Sequence, residues 1–87
     1  MINILGQTWS IQYRPIEELG ICDNENKTLI INPKQDKTEQ ESTELHEALH
    51  AILCVSGVSS VLTDEIEEAV VTAIENGLYQ AGYRRQQ

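Results

Sequence analysis

The chain has 87 residues, and its fourteen acidic and six basic side chains give a formal charge of −8. A chain of this length is near the lower limit for a hydrophobic core, so we expect a single domain over residues 1–87. Its acidity argues against direct binding to nucleic-acid phosphates, which requires clustered lysine and arginine. No apolar run approaches the roughly 18 residues of a membrane span, and the start lacks the basic flank of a signal peptide. We therefore expect a cytoplasmic protein without a membrane partner.

The part of the chain before residue 38 contains three segments typical of β-strands, which are residues 2–5, 8–14 and 28–32. In the second segment Trp9, Ile11 and Tyr13 alternate with polar side chains, the period of a half-buried strand. Pro15 ends this segment because proline cannot donate to a strand ladder. Residues 16–20 fit either a helical turn or a loop. The pattern predicts a three-stranded antiparallel sheet over residues 1–37, followed by helices in an α+β fold.

From residue 38 the periodicity becomes helical. Thr38 and Glu41 have the spacing of a capping box at a helix start. Apolar side chains then recur at three- and four-residue steps as far as Cys54, which predicts an amphipathic helix over residues 38–54. The expected centre of its buried face is Leu45, Leu49, Ile52 and Leu53.

A second helix is predicted over residues 63–81, with Thr63 or Asp64 as its cap and Gly82 at its end. Gly77 inside this helix suggests close packing. Residues 38–87 carry a net charge of −7 out of the total of −8. This excess has two possible explanations, which are a bound cation that neutralises part of it and a solvated acidic helix surface. The apolar stripe of the second helix is Ile66, Ala69, Val70, Ala73, Ile74 and Leu78.

Residues 46–50 carry the pattern His-Glu-x-x-His. On a helix, His46 and His50 lie one turn apart on the same side, where two neutral imidazoles can bind one tetrahedral Zn²⁺. Glu47 between them can take a proton from the water that zinc activates and pass it to a leaving amine. The pattern arises by chance in about one of two hundred shuffled chains. The alternative interpretation is a pair of helix histidines at the edge of the core, with backbone groups or carboxylates as their hydrogen-bond partners.

A catalytic zinc site needs a third protein ligand, and the chain has no other histidine. Helical phase does not choose among the acids of the second helix, which are Asp64, Glu65, Glu67, Glu68 and Glu75. Cys54 lies one turn beyond His50 and could also reach the metal, although packing is the commoner role for such a thiol. Cys22 and Cys54 are expected to be reduced, because bridged cysteines are rare in cytosolic proteins.

The chain resembles the small phage- and bacterium-associated His-Glu-x-x-His proteins known as minimal zincins. More distantly it is similar to the ImmA/IrrE and SprT-like metalloproteases. The resemblance spans nearly the whole chain and includes the motif helix and the acid-rich helix that follows it. Outside these helices it rests on four segments, which are Gly6-Gln7-Thr8-Trp9, Gly20-Ile21-Cys22-Asp23, Lys27-Thr28-Leu29-Ile30-Ile31 and the closing segment from Leu78 to Arg85. It implies a three-stranded sheet against the motif helix and a zinc metallopeptidase of gluzincin type. His46, His50 and Glu68 would be the metal ligands, with Glu68 preferred to Glu67 or Glu65, and Glu47 the catalytic base.

Larger zincins add another side chain to stabilise the oxyanion, and the candidates in this chain are Tyr13, Tyr79, Tyr83 and Arg84. We expect a peptide or protein substrate in the cytoplasm of a bacterial host cell. The acidic second half favours a basic peptide, which could add as a strand beside residues 28–32. The alternative is a non-catalytic, zinc-stabilised protein that binds a host factor, and a metal-free interaction domain is a third possibility.

Overall fold

The structure, a computed structural model, describes residues 1–83 and confirms the α+β class. No helix among these residues combines the length and the apolar character that crossing a membrane requires. A short 3₁₀ turn, Val58–Val61, connects the two helices. The elements in chain order are the strands β1 (Ile2–Ile4), β2 (Gln7–Tyr13), β3 (Gly20–Asp23) and β4 (Thr28–Ile31) and the helices α1 (Lys37–Val55) and α2 (Asp64–Gln80).

The sheet is mixed and has the strand order β1-β2-β4-β3. β1 and β2 pair antiparallel, as do β3 and β4, whereas β2 and β4 run parallel with Tyr13 opposite Ile31. The predicted three-stranded antiparallel sheet is therefore wrong in strand number and in direction. The missed strand β3 has only four residues, begins with Gly20 and is followed at once by turn residues. It is too short to show the alternation that indicates a strand.

β4 is an interior strand with β2 on one side and β3 on the other, and all four of its residues are buried. A continuous apolar run is what burial on both faces of a sheet requires. The predicted docking of a substrate beside residues 28–32 is therefore wrong, because β4 has no free edge. The free edges of the sheet belong to β1 and β3.

α1 packs against β1, β3 and β4 and also against α2. The core lies where Ile4, Trp9 and Leu29 of the sheet meet Ala48 and Ala51 of α1. These two alanines allow the helix to approach the sheet closely, so they occupy the centre of its buried face. The residues predicted for that position are half-buried or exposed instead: Leu45, Leu49, Ile52 and Leu53.

Side chains cap the start of both helices. The Asp36 carboxylate accepts the Glu39 backbone N–H at 2.8 Å, and the Glu39 carboxylate accepts the Asp36 N–H at 3.2 Å. The predicted box at Thr38 begins two residues too late, because Asp36 and Glu39 offer the same chemistry at the same spacing. Thr63 caps α2, and Gly82 with a φ of 95° follows its last turn. Both of these predictions are confirmed.

α2 presents a different face to α1 from the one that its hydrophobic pattern suggests. Val71 is its fully buried residue, whereas Ile66 and Ile74 of the apolar stripe are 51% and 40% exposed. Gly77 permits no close packing within the described chain, since a Cβ built on it would have nothing within 4 Å. The inward face of α2 instead carries acidic side chains, and these build the candidate site.

Candidate metal centre

The two histidines of α1 face a single carboxylate of α2. The Nε2 atom of His46 lies 2.9 Å from Oε1 of Glu68, and the Nε2 atom of His50 lies 3.0 Å from Oε2 of the same residue. Ligand atoms of the three residues lie within 4.8 Å of one another, a grouping that could hold a metal ion. The structure thus brings together the three residues that were predicted as metal ligands.

A second pair of carboxylates contacts the opposite nitrogen of each imidazole ring. Oε1 of Glu75 lies 2.8 Å from Nδ1 of His46, and Oε2 of Glu67 lies 2.6 Å from Nδ1 of His50. We call Glu67 and Glu75 the outer carboxylates. Their side chains are only 18% and 13% exposed, whereas that of Glu68 is 56% exposed. From the sequence, the outer carboxylates were candidates only for the third metal ligand. Their contacts with Nδ1 could not be predicted, because these contacts depend on how α2 packs against α1.

These contacts place a carboxylate oxygen beside both ring nitrogens of each histidine. A neutral imidazole has one N–H and one lone pair, and an ionised carboxylate can only accept. In the tautomer that donates Nδ1–H to the outer carboxylate, the Nε2 lone pair of each ring points at Glu68. Two lone pairs aimed at an anion require a cation between them or a second proton on each ring. This donor set of two imidazole nitrogens and a carboxylate fits Zn²⁺.

Glu47 lies between the two histidines in the chain and beside β3 in space. A Cβ built on Gly20 of β3 would lie 3.0 Å from Cγ of Glu47 and 3.2 Å from its Oε2. Burial raises the pKa of the Glu47 carboxyl above its usual value. The carboxylates of Glu68 and Glu75 raise it further, and the two histidines oppose the shift. A raised pKa suits a group that must accept a proton and then return it.

The surroundings of His50 are strongly anionic. Burial opposes its protonation, but the carboxylates of Glu67, Glu47 and Glu68 outweigh burial and raise the pKa of the ring. The pKa of Glu67 is lowered by the Ser59 hydroxyl beside it and, against the effect of burial, by the hydrogen bond to His50. Glu67 is therefore ionised at neutral pH and able to hold the Nδ1 proton of His50.

A cleft of 380 Å³ opens beside the centre. Glu68 borders it, so its exposed carboxylate can be reached from solvent. Leu19, which is 64% exposed, is the large apolar side chain of its lining. The complete lining is Leu19, Gly20, Ser42, Thr43, His46, Glu47, Glu68 and Glu75. The cleft thus joins the β3 edge of the sheet to the histidine–glutamate group.

Several sequence candidates lie outside this centre. Glu65 is exposed and, within the part of the chain that the structure describes, forms no hydrogen bond with either histidine. Tyr13, Tyr79 and Tyr83 do not line the cleft among residues 1–83, and Arg84 lies outside the described residues. The oxyanion-stabilising side chain therefore stays unassigned.

The two cysteines are free thiols, as expected. Burial raises the pKa of Cys22 to about 12, and the nearby Glu47 and Cys54 add to this shift. A thiol with such a pKa is neither a good nucleophile nor a ready metal ligand. Among residues 1–83, the grouping that could hold a metal does not include Cys54.

No family model, curated protein sequence or solved structure matches this chain. The resemblance to minimal zincins therefore stays a prediction that rests on the histidine motif and on the segments quoted with it.

Proposed function

We propose that the protein is a zinc-dependent metallopeptidase in which His46, His50 and Glu68 hold the metal and Glu47 is the general base. The orientation of the histidines carries this proposal. Both place Nε2 beside Glu68 and Nδ1 beside a largely buried outer carboxylate that can accept its proton. Histidines that bind zinc typically donate their other N–H to a carboxylate or carbonyl in this way. Core histidines need no common carboxylate between their Nε2 atoms.

In this proposal, the bound metal and Glu47 carry out different parts of peptide hydrolysis. Zinc, when bound, acts as a Lewis acid that polarises a carbonyl and lowers the pKa of a water molecule. Glu47 borders the same cleft as His46 and Glu68, so it can accept a proton from the attacking water. Its raised pKa then allows it to pass the proton to the leaving amine.

The number of protein ligands favours a catalytic centre over a structural one. Structural zinc sites are usually closed by four protein ligands, whereas catalytic sites use three and leave one position open. Residues 1–83 supply three ligands, and Cys54, which could have closed the site, is not among them. This count supports a peptidase more than the alternative of a zinc-stabilised binding protein.

The position of β3 suggests how a peptide substrate binds. β3 is an edge strand, and Gly20 at its start lies against Glu47. A peptide that added as a strand to this free edge would pass beside the general base, and strand addition is a common mode of peptide recognition. The acidic lining of the cleft favours a basic peptide, so we propose an extended basic segment as the substrate.

The variant Glu47→Gln tests the mechanism, with Glu41→Gln as its control in the same helix. Both changes remove one negative charge, but Glu41 does not line the cleft. We expect wild type and both variants to purify with equimolar zinc by elemental analysis. Cleavage of a peptide library should fall by about 10²–10⁴-fold in Glu47→Gln, the usual contribution of a general base, and should be unchanged in Glu41→Gln.

Four results would contradict the proposal. Wild type without zinc, or His46→Ala with undiminished zinc, would show that the centre does not bind the metal. Undiminished cleavage in Glu47→Gln would show that Glu47 is not the base. Zinc in wild type with no cleavage of any peptide would favour the zinc-stabilised binding protein instead.

A further inference from the structure

We infer that the outer carboxylates Glu67 and Glu75 are positioning residues that fix the tautomer and the ring orientation of the two histidines. This inference rests on the proposed zinc site and assigns roles to two residues that do not themselves bind the metal. Each outer carboxylate lies within hydrogen-bond distance of one Nδ1. By accepting the Nδ1–H it leaves the Nε2 lone pair of that ring free for zinc. The two imidazoles are thereby arranged before any metal arrives.

Glu75 is itself held by a second donor from α1. Its Oε1 accepts the Nδ1–H of His46, and its Oε2 accepts a hydrogen bond from the Ser42 hydroxyl. Ser42 precedes His46 by about one helical turn, so both donors approach from the same face of α1. The side chain of Glu75 is largely buried, and rotating it would break one of these hydrogen bonds. The orientation of His46 is therefore coupled to a rigid contact between the two helices.

Glu67 lies at the other end of the centre, with its Oε2 2.6 Å from Nδ1 of His50. It lies in the first turn of α2, where the helix dipole favours a negative charge. Each outer carboxylate thus lies beside one Nδ1, and Glu75 has a second hydrogen bond from Ser42.

The alternative role for these contacts is purely structural, as polar links that dock α2 on α1. The two roles make different predictions for the metal-free protein. A structural link contributes to the stability of the fold whether or not zinc is present. A positioning residue acts on the metal affinity and on the geometry around the metal, and changing such a residue typically costs 10–100-fold in affinity.

Glu75→Gln and Glu67→Gln separate these roles, with Glu65→Gln as the matched control. All three variants remove one charge from α2, but Glu65 is exposed and away from the histidines. We expect zinc affinity, measured by competition with a chromophoric chelator, to fall by about 10–100-fold in the first two variants and to be unchanged in Glu65→Gln. Ser42→Ala should weaken zinc binding by a smaller factor, because Glu75 keeps its bond to His46.

The visible spectrum of the Co²⁺-substituted protein gives a readout that a structural role would not move. We expect the ligand-field bands of Glu75→Gln and Glu67→Gln to differ from those of wild type, because a histidine has changed its orientation. Urea unfolding of the metal-free proteins should give the same midpoint for Glu75→Gln, Glu67→Gln and Glu65→Gln. Zinc affinities equal to that of Glu65→Gln, or wild-type Co²⁺ spectra, would overturn the inference. A wild type that binds no zinc would instead overturn the proposed function.

Discussion

The sheet and α2 differ in which side chains they bury. In the sheet, Leu29 and Ile31 are fully buried, and the core forms where the strands meet the alanines of α1. In α2 the apolar stripe is largely exposed, and the outer carboxylates face α1 instead. The sheet therefore owes its stability to hydrophobic burial, whereas the face that α2 turns towards α1 at the candidate centre is largely polar.

This difference has an energetic consequence. Burying carboxylates is unfavourable unless they are paired and hydrogen-bonded, and the acids on the inner face of α2 are partnered by His46, His50 and Ser42. A bound zinc ion would add positive charge at the point where Glu68 meets two lone pairs. Metal binding and the packing of α2 are therefore expected to be coupled, as they are in small metal-dependent domains.

The largest loss of stability is expected from a substitution in the core of the sheet. Leu29→Ala removes a fully buried side chain from the contact between β4 and α1. We expect the free energy of unfolding to fall by about 2–5 kcal/mol, because the substitution loses burial and leaves a cavity. Urea denaturation followed by circular dichroism measures this. A loss below about 1 kcal/mol would mean that the sheet core is not the main source of stability.

An intermediate loss of stability is expected from a substitution in β3, where the sheet meets the candidate metal centre. In Gly20→Ala the new Cβ would lie 2.6 Å from Cγ2 of Thr43 and 3.0 Å from Cγ of Glu47. Overpacking of this kind costs about 1–3 kcal/mol, and we expect it to displace Glu47 while zinc binding is retained. Urea denaturation and zinc titration test both points.

Gly77→Ala is the control for this substitution. Its Cβ would have nothing within 4 Å, and the residue is inside α2. We expect it to stabilise the protein by up to about 1 kcal/mol through helix propensity. If Gly20→Ala proved as well tolerated as Gly77→Ala, β3 would not lie against Glu47 as the structure shows.

The smallest change in stability is expected from a substitution on the outer face of α2. Ile66 is half-exposed, so Ile66→Gln should change the free energy of unfolding by no more than about 0.5 kcal/mol. Val71→Ala on the buried face of the same helix should cost clearly more, because it deletes fully buried methyl groups. The reverse order in urea denaturation would show that the apolar stripe is the face of α2 that packs.

Much of the helical half could be predicted from local patterns. The spacing of His46 and His50 places both on one side of a helix, and the predicted bounds of α1 differ from the observed ones by one residue at each end. The Thr63 cap and the Gly82 terminus follow from the conformations these residues prefer. The preference for Glu68 came from the resemblance to minimal zincins, since helical phase left Glu65 and Glu67 open.

Only the tertiary structure determined the strand order and the inward face of α2. β3 lacks a periodic pattern, and the interior position of β4 depends on pairing with strands distant in sequence. The roles of Glu67 and Glu75 likewise depend on contacts across 17 and 29 residues. Periodicity reports which side chains share a face of one element, because that is set by the backbone geometry of that element. Which face then packs inward depends on the summed contacts of the whole fold, and in α2 these contacts place the acids beside the two histidines.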